Sequence, residues 1–124
     1  MRATTLAAGG LACAGAAMTI AAFAGEGRPE PAPVRAERGP QVFAEQGCGS
    51  CHAFEPAGAT GPIGPDLALS LTGKPRDYVM ESIVRPNEQA APGYEGGGMP
   101  EDYAQRIAPD DLEALVTFLT EGAG

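Results

Sequence analysis

The stretch Gly47-Cys48-Gly49-Ser50-Cys51-His52, written GCGSCH, holds two of the chain's three cysteines and its only histidine. The spacing C-x-x-C-H is that of covalent c-type haem attachment. Each sulfur joins one vinyl group, the two-residue spacer lets both sulfurs reach adjacent edges of one porphyrin, and the next residue, His52, lies beneath the iron. A redox dithiol would need a βαβ setting, and no strand is evident. A zinc site needs four ligands, usually from two such pairs, and Cys13 is the one cysteine left over. A disulfide across two residues would leave His52 without a role. Haem is therefore the reading that gives Cys48, Cys51 and His52 a common task. A ligand histidine usually donates its free N–H to a carbonyl. The expected acceptor is the backbone oxygen of Pro65, in the GPDL segment that follows.

Outward from the motif, the chain divides into zones. Residues 3–24, ATTLAAGGLACAGAAMTIAAFA, carry no charge and follow Arg2. A basic start, an apolar run and the small-residue site Ala22-Phe23-Ala24 fit an export signal cut before Gly25. The run also approaches the roughly 20 apolar residues that span a bilayer, so an uncleaved membrane anchor is the competing expectation. Gly10 stands where a lipoprotein signal would place an apolar residue ahead of Cys13, which argues against lipidation. Residues 25–40, GEGRPEPAPVRAERGP, contain four prolines among charged residues. They are expected to form an extended, semi-rigid linker. Residues 41–124 remain as the folded domain. It lacks tryptophan, and so small a domain often needs a staple or cofactor to complete its core.

The formal net charge is −8, and removal of residues 1–24 with Arg2 takes it to −9. No basic face is present for nucleic acid. The acidity suits steering toward a partner with a basic docking surface, with Glu95, Glu101 and Asp102 as candidate contributors.

Three helices are expected. In PQVFAEQG (40–47), Pro40 suits a first turn and Val42, Phe43 and Gln46 share a side. In PRDYVMESIVR (75–85), Tyr78, Val79, Ser82 and Ile83 share a face and Pro86 ends the run. In DDLEALVTFLT (110–120), Asp110 or Asp111 would cap the helix and Leu112, Leu115, Val116 and Leu119 form its apolar stripe. The segments 53–72 and 86–108 read as loops. Two such long loops are unusual in a small domain unless they wrap a large ligand. The expectation is an all-α fold of three main helices and long loops around one covalently bound haem.

Iron bound by histidine alone is open to small molecules, whereas a His/Met pair closes it and suits electron transfer. The chain beyond residue 24 has two methionines. Met80 lies mid-helix and reads as core filling. Met99 lies in GGGMP, where glycines allow close approach of backbone to a ligand, and is the expected sixth ligand.

Residues 39–120 resemble the class I c-type cytochromes, the monohaem His/Met electron carriers. GPQVFAEQGCGSCH is similar to the family's first helix and haem motif, GPDL to its Gly-Pro segment, YVMESIVRP to the helix before the methionine loop, PGYEGGGMP to that loop, and LEALVTFL to the closing helix. The resemblance implies a small cytochrome c fold with Gly39 and Phe43 meeting Leu115 and Phe118. It implies one haem c on Cys48 and Cys51, axial iron ligands His52 and Met99, and Pro65 carrying the carbonyl to His52. The PGY…GMP pattern resembles the cytochrome c domains attached to bacterial haem–copper oxidases. Ser82 stands where the mitochondrial carrier has tyrosine, the methionine loop is longer, and that carrier's docking lysines are missing. The expected role is a one-electron carrier, not an enzyme, passing electrons between redox proteins of a respiratory chain. Its expected place is the periplasm or the outer face of the bacterial cytoplasmic membrane, with membrane association through residues 3–24 if these are retained. The alternatives are a haem-binding subunit of a larger respiratory complex, and a haem enzyme or sensor with an open sixth position.

Overall fold

A computed structural model describes the backbone of residues 32–124 and the side chains from residue 37 onward. The expected export signal or anchor, and the first part of the linker, lie outside the described residues. Helix α1 runs from Ala32 to Glu45, so it starts eight residues earlier than the sequence suggests and takes in residues 32–40, which read as extended linker. Two causes account for this. Pro33 falls in the first turn, where no N–H is needed, and Gly39, Val42 and Phe43 are buried, so tertiary packing holds the helix across Pro40 despite the missing hydrogen bond.

After the haem-type motif the chain forms a short antiparallel hairpin, β1 (His52–Phe54) and β2 (Ala59–Pro62), paired His52 to Pro62, Ala53 to Thr60 and Phe54 to Ala59, with an irregularity between His52 and Ala53. No strand was expected here. Three or four residues are too few for a period-two pattern, and Gly61 and Pro62 in β2 carry loop signals. A short helix α2 (Leu67–Ser70) follows. Asp66 caps it, its carboxylate accepting the N–H of Ala68 at 2.9 Å. Helix α3 spans Arg76–Val84 with Pro75 ahead of it. A long strap then leads to α4 (Tyr103–Arg106), a single turn inside the region read as loop. Helix α5 spans Pro109–Gly122. Its N-cap is Ala108 rather than an aspartate. Asp111 is turned instead to Arg38 of α1, which grips it at 2.7 and 2.6 Å through two nitrogens.

α1 and α5 cross at very short range. A Cβ on Gly39 would lie 2.5 Å from Cβ of Phe118 and 2.6 Å from the carbonyl oxygen of Ala114. Only glycine fits such an approach. Beside the crossing, Phe43, Phe54 and Phe118 form an aromatic trio with centroids 5.8, 6.1 and 5.3 Å apart, the two Phe118 contacts edge-on, the arrangement aromatic rings prefer. Val42, Val79, Leu115, Val116 and Leu119 complete the core. Among the described residues no helix is long and apolar enough to cross a membrane.

Candidate functional site

The helices do not close over one another on the side facing the motif. They bound a cavity of about 650 Å³, within the range of cofactor sites. Its walls are built from the faces the sequence singles out: Tyr78, Val79, Ser82 and Ile83 of α3 on one side, Leu115 and Leu119 of α5 behind, and Phe43 and Gln46 of α1 at one end. Tyr103 and Ile107, which the sequence reading left in a loop, supply a further wall. Their i, i+4 spacing was the available signal. Leu115 faces the cavity rather than Gly39, whose neighbours on α5 are Ala114 and Phe118.

Cys48 and Cys51 lie on and just after a single 3-10 turn, Cys48–Ser50. Neither is in a disulfide, both are half-buried, and both line the cavity. Burial pushes the Cys48 thiol above its ordinary value, against a backbone hydrogen bond and nearby Arg106, which pull it down. The carbonyl of Cys51 accepts the N–H groups of both Ile63 and Gly64, at 3.0 and 2.7 Å. This pins the segment after β2 against the motif.

That segment fixes His52. Its Nδ1 lies 2.8 Å from the backbone oxygen of Pro65, the acceptor expected from the sequence. The carbonyl can only accept, so Nδ1 carries the proton, and in the neutral ring this leaves Nε2 as the nitrogen a metal would take. Gly64 supports the ring from the side: a Cβ there would stand 2.5 Å from Cε1 and 2.7 Å from Nδ1. The sequence reading used only Pro65 of this pair, yet GP together supplies both the acceptor and the clearance.

The two methionines separate. Met99 lines the cavity from the strap, whereas Met80 packs half-buried against the core and is not part of the cavity wall. Tyr103 is buried, its hydroxyl pushed up by that burial, and Arg106 stacks on its ring at 4.5 Å from the centroid.

The donor set and the enclosure fit a haem. Two thiols at C-x-x-C spacing, an imidazole and a thioether border a single chamber whose walls are mainly apolar. Among the described residues no group of three or more His, Cys, Asp or Glu side chains could hold a bare metal ion. Cys48 and Cys51 would hold the porphyrin, and it would fill the centre that the small aliphatic core leaves open.

Comparison with known proteins agrees with this geometry. The family model described as Cytochrome c matches residues 36–122. No curated protein and no solved structure matches the chain. The matched span takes in α1 from residue 36 onward, the C-x-x-C-H turn, the hairpin, the strap and all of α5, so the chain belongs to the cytochrome c family, as a haem-binding electron carrier of the class I c type.

Proposed function

We propose that this protein carries single electrons between redox proteins, with one haem c whose iron is held between His52 and Met99. The observation that supports this most directly is that His52, oriented by Pro65, and Met99 border the same apolar cavity as Cys48 and Cys51. When bound, haem supplies the reversible one-electron couple of its iron. Cys48 and Cys51 would hold it through thioether bonds, Pro65 keeps the His52 ring in register, and His52 and Met99 would be its iron ligands. The surrounding Val79, Ile83, Leu115 and Leu119 exclude water. The protein is read as a carrier rather than an enzyme because a His/Met pair would leave the iron no open position for a substrate.

Docking is proposed at the cavity mouth. Ile63, Leu69 and Tyr94 are the large apolar side chains exposed among the described residues, and Ile63 and Tyr94 line the cavity. Arg38, Arg76, Arg85 and Arg106 each pair with a carboxylate, while Glu95 beside the mouth accepts the N–H of Gly93. That hydrogen bonding, its own backbone N–H first, holds its carboxyl below the ordinary value. Glu95 and Glu101, with Asp102 partly offset by Arg106 at 3.6 Å, favour a basic surface on the partner. Export to the outer side of the cytoplasmic membrane completes the reading.

Purified full-length protein tests it. The mass should exceed that of the peptide by one haem, the ferric spectrum should show the methionine-to-iron charge-transfer band, and ferrous protein should bind carbon monoxide slowly. Rapid carbon monoxide binding with no methionine band would replace the carrier by a haem enzyme or sensor.

A further inference from the structure

We propose that Asn87 is the positioning residue for Met99, latching the two arms of the strap that carries it. The proposal rests on reading Met99 as an iron ligand and adds how this chain holds it there.

The strap joins α3 to α4, and its first arm is well anchored. Gln89 Nε2 donates to Glu81 Oε2 at 2.8 Å, and the Tyr78 hydroxyl reaches the Gln89 carbonyl at 3.5 Å. The second arm has no such support. Gly93, Gly96, Gly97 and Gly98 have φ of 89°, 141°, 81° and 136°. These values favour glycine, and glycine loses the most freedom on ordering. A thioether at the end of so loose a segment would spend much of its time away from one position.

Asn87 compensates for this. Its Nδ2 donates to Glu101 Oε1. Its Oδ1 lies against Gly97, where a Cβ would stand 3.4 Å away. Gly97 is two residues before Met99 and Glu101 two residues after it. A single amide from the anchored arm therefore ties down the chain on one flank of the methionine and lies near it on the other, where Gly97 leaves it room. Among the described residues this is the one side-chain hydrogen bond to residues 96–101. Both partners are exposed, so the bond's contribution to global stability is no larger than the net worth of one hydrogen bond. Its effect falls on how often the methionine is in place.

Imidazole competes with a methionine for ferric iron, so its affinity reports that occupancy. In the full-length holoprotein, Asn87→Ala and Glu101→Ala should each tighten imidazole binding about 5-fold. That is ~1 kcal/mol at 1.4 kcal/mol per tenfold, the net size of one hydrogen bond. The double variant should do no more than either single change, because both remove the same bond. Glu101→Gln keeps a carbonyl acceptor and should stay near the parent, and the far-UV circular dichroism melt of Asn87→Ala should fall by about 4–8 °C at most, the size one hydrogen bond carries. Unchanged imidazole affinity in Asn87→Ala, or independent effects that multiply in the double variant, would overturn the proposal. Met99→Ala separates the two levels. If it binds imidazole far more tightly while Asn87→Ala does not, only the latch fails. If it binds no more tightly than the parent, Met99 is not the ligand and both readings fall.

Discussion

Replacing Gly39 by alanine sets two opposing effects against each other. Gly39 lies within α1, where alanine is ordinarily better than glycine by about 1 kcal/mol. Here the added methyl would meet Cβ of Phe118 at 2.5 Å and the Ala114 carbonyl oxygen at 2.6 Å. Neither atom is the end of a flexible side chain. One is helix backbone and the other is fixed to it, so relief requires α1 and α5 to separate. Overpacking of a tight contact costs roughly 1–3 kcal/mol, and this contact belongs at the upper end. The expected net result is a loss of about 2 kcal/mol. For a domain of this size that lowers the melting temperature by about 10 °C or somewhat more. Thermal and urea unfolding of the holoprotein, followed by far-UV circular dichroism and by the haem absorption, would measure it. Adding Phe118→Ala should not restore stability, because the clashing Cβ remains. A Gly39→Ala protein as stable as the parent would refute the reasoning and show that the helices do not approach as closely as described.

Further outcomes follow from other contacts. Phe54→Ala removes a side chain that is 0% exposed at the centre of the aromatic trio, and should cost about 3–5 kcal/mol by denaturant unfolding. Gly64→Ala drives a methyl into the His52 ring and breaks its bond to Pro65. Histidine should hold the iron about 10–100-fold less well, seen as an earlier loss of the low-spin spectrum on acidification. Asp111→Asn tests the Arg38 fork, which holds the Asp111 carboxyl below its ordinary value, chiefly through the side-chain hydrogen bond. A depressed carboxyl contributes stability that is present above the unfolded pKa and is lost as pH falls through the folded one. The variant should therefore be less stable than the parent at neutral pH and converge with it below about pH 4. A gap that stays constant through acid would refute the pairing. Electron transfer to a basic partner should slow steadily as salt is raised toward 0.1 M, where the screening length is about 10 Å, and a flat salt profile would remove the steering proposal.

Much of this protein was legible in one dimension because its chemistry is local. The motif at residues 47–52 specifies cofactor attachment through residue type and spacing alone, and the faces Tyr78–Ile83 and Leu112–Leu119 announce themselves by helical period. The two methionines could be told apart by setting, one in a helix and one among glycines. Pro65 was reachable because a ligand histidine needs an acceptor and GPDL follows at loop distance.

What the sequence concealed depends on contacts between distant segments. Helix α1 overrides the proline signals of residues 32–40 because Val42, Phe43 and Gly39 are buried beneath α5, and propensity yields to such packing. The hairpin is invisible to pattern because its strands are three and four residues long and are fixed by the fit of Gly64 against His52 and the double acceptor at Cys51. Asp111 looked like a cap and became a partner for Arg38, 73 residues away. Asn87 and Glu101 look like ordinary surface residues until the strap folds back and brings them together. Residue type and spacing determined which atoms can grip a cofactor. Tertiary structure alone decided how rigidly they are held, because rigidity comes from excluded volume and shared hydrogen bonds between segments that are not neighbours along the chain.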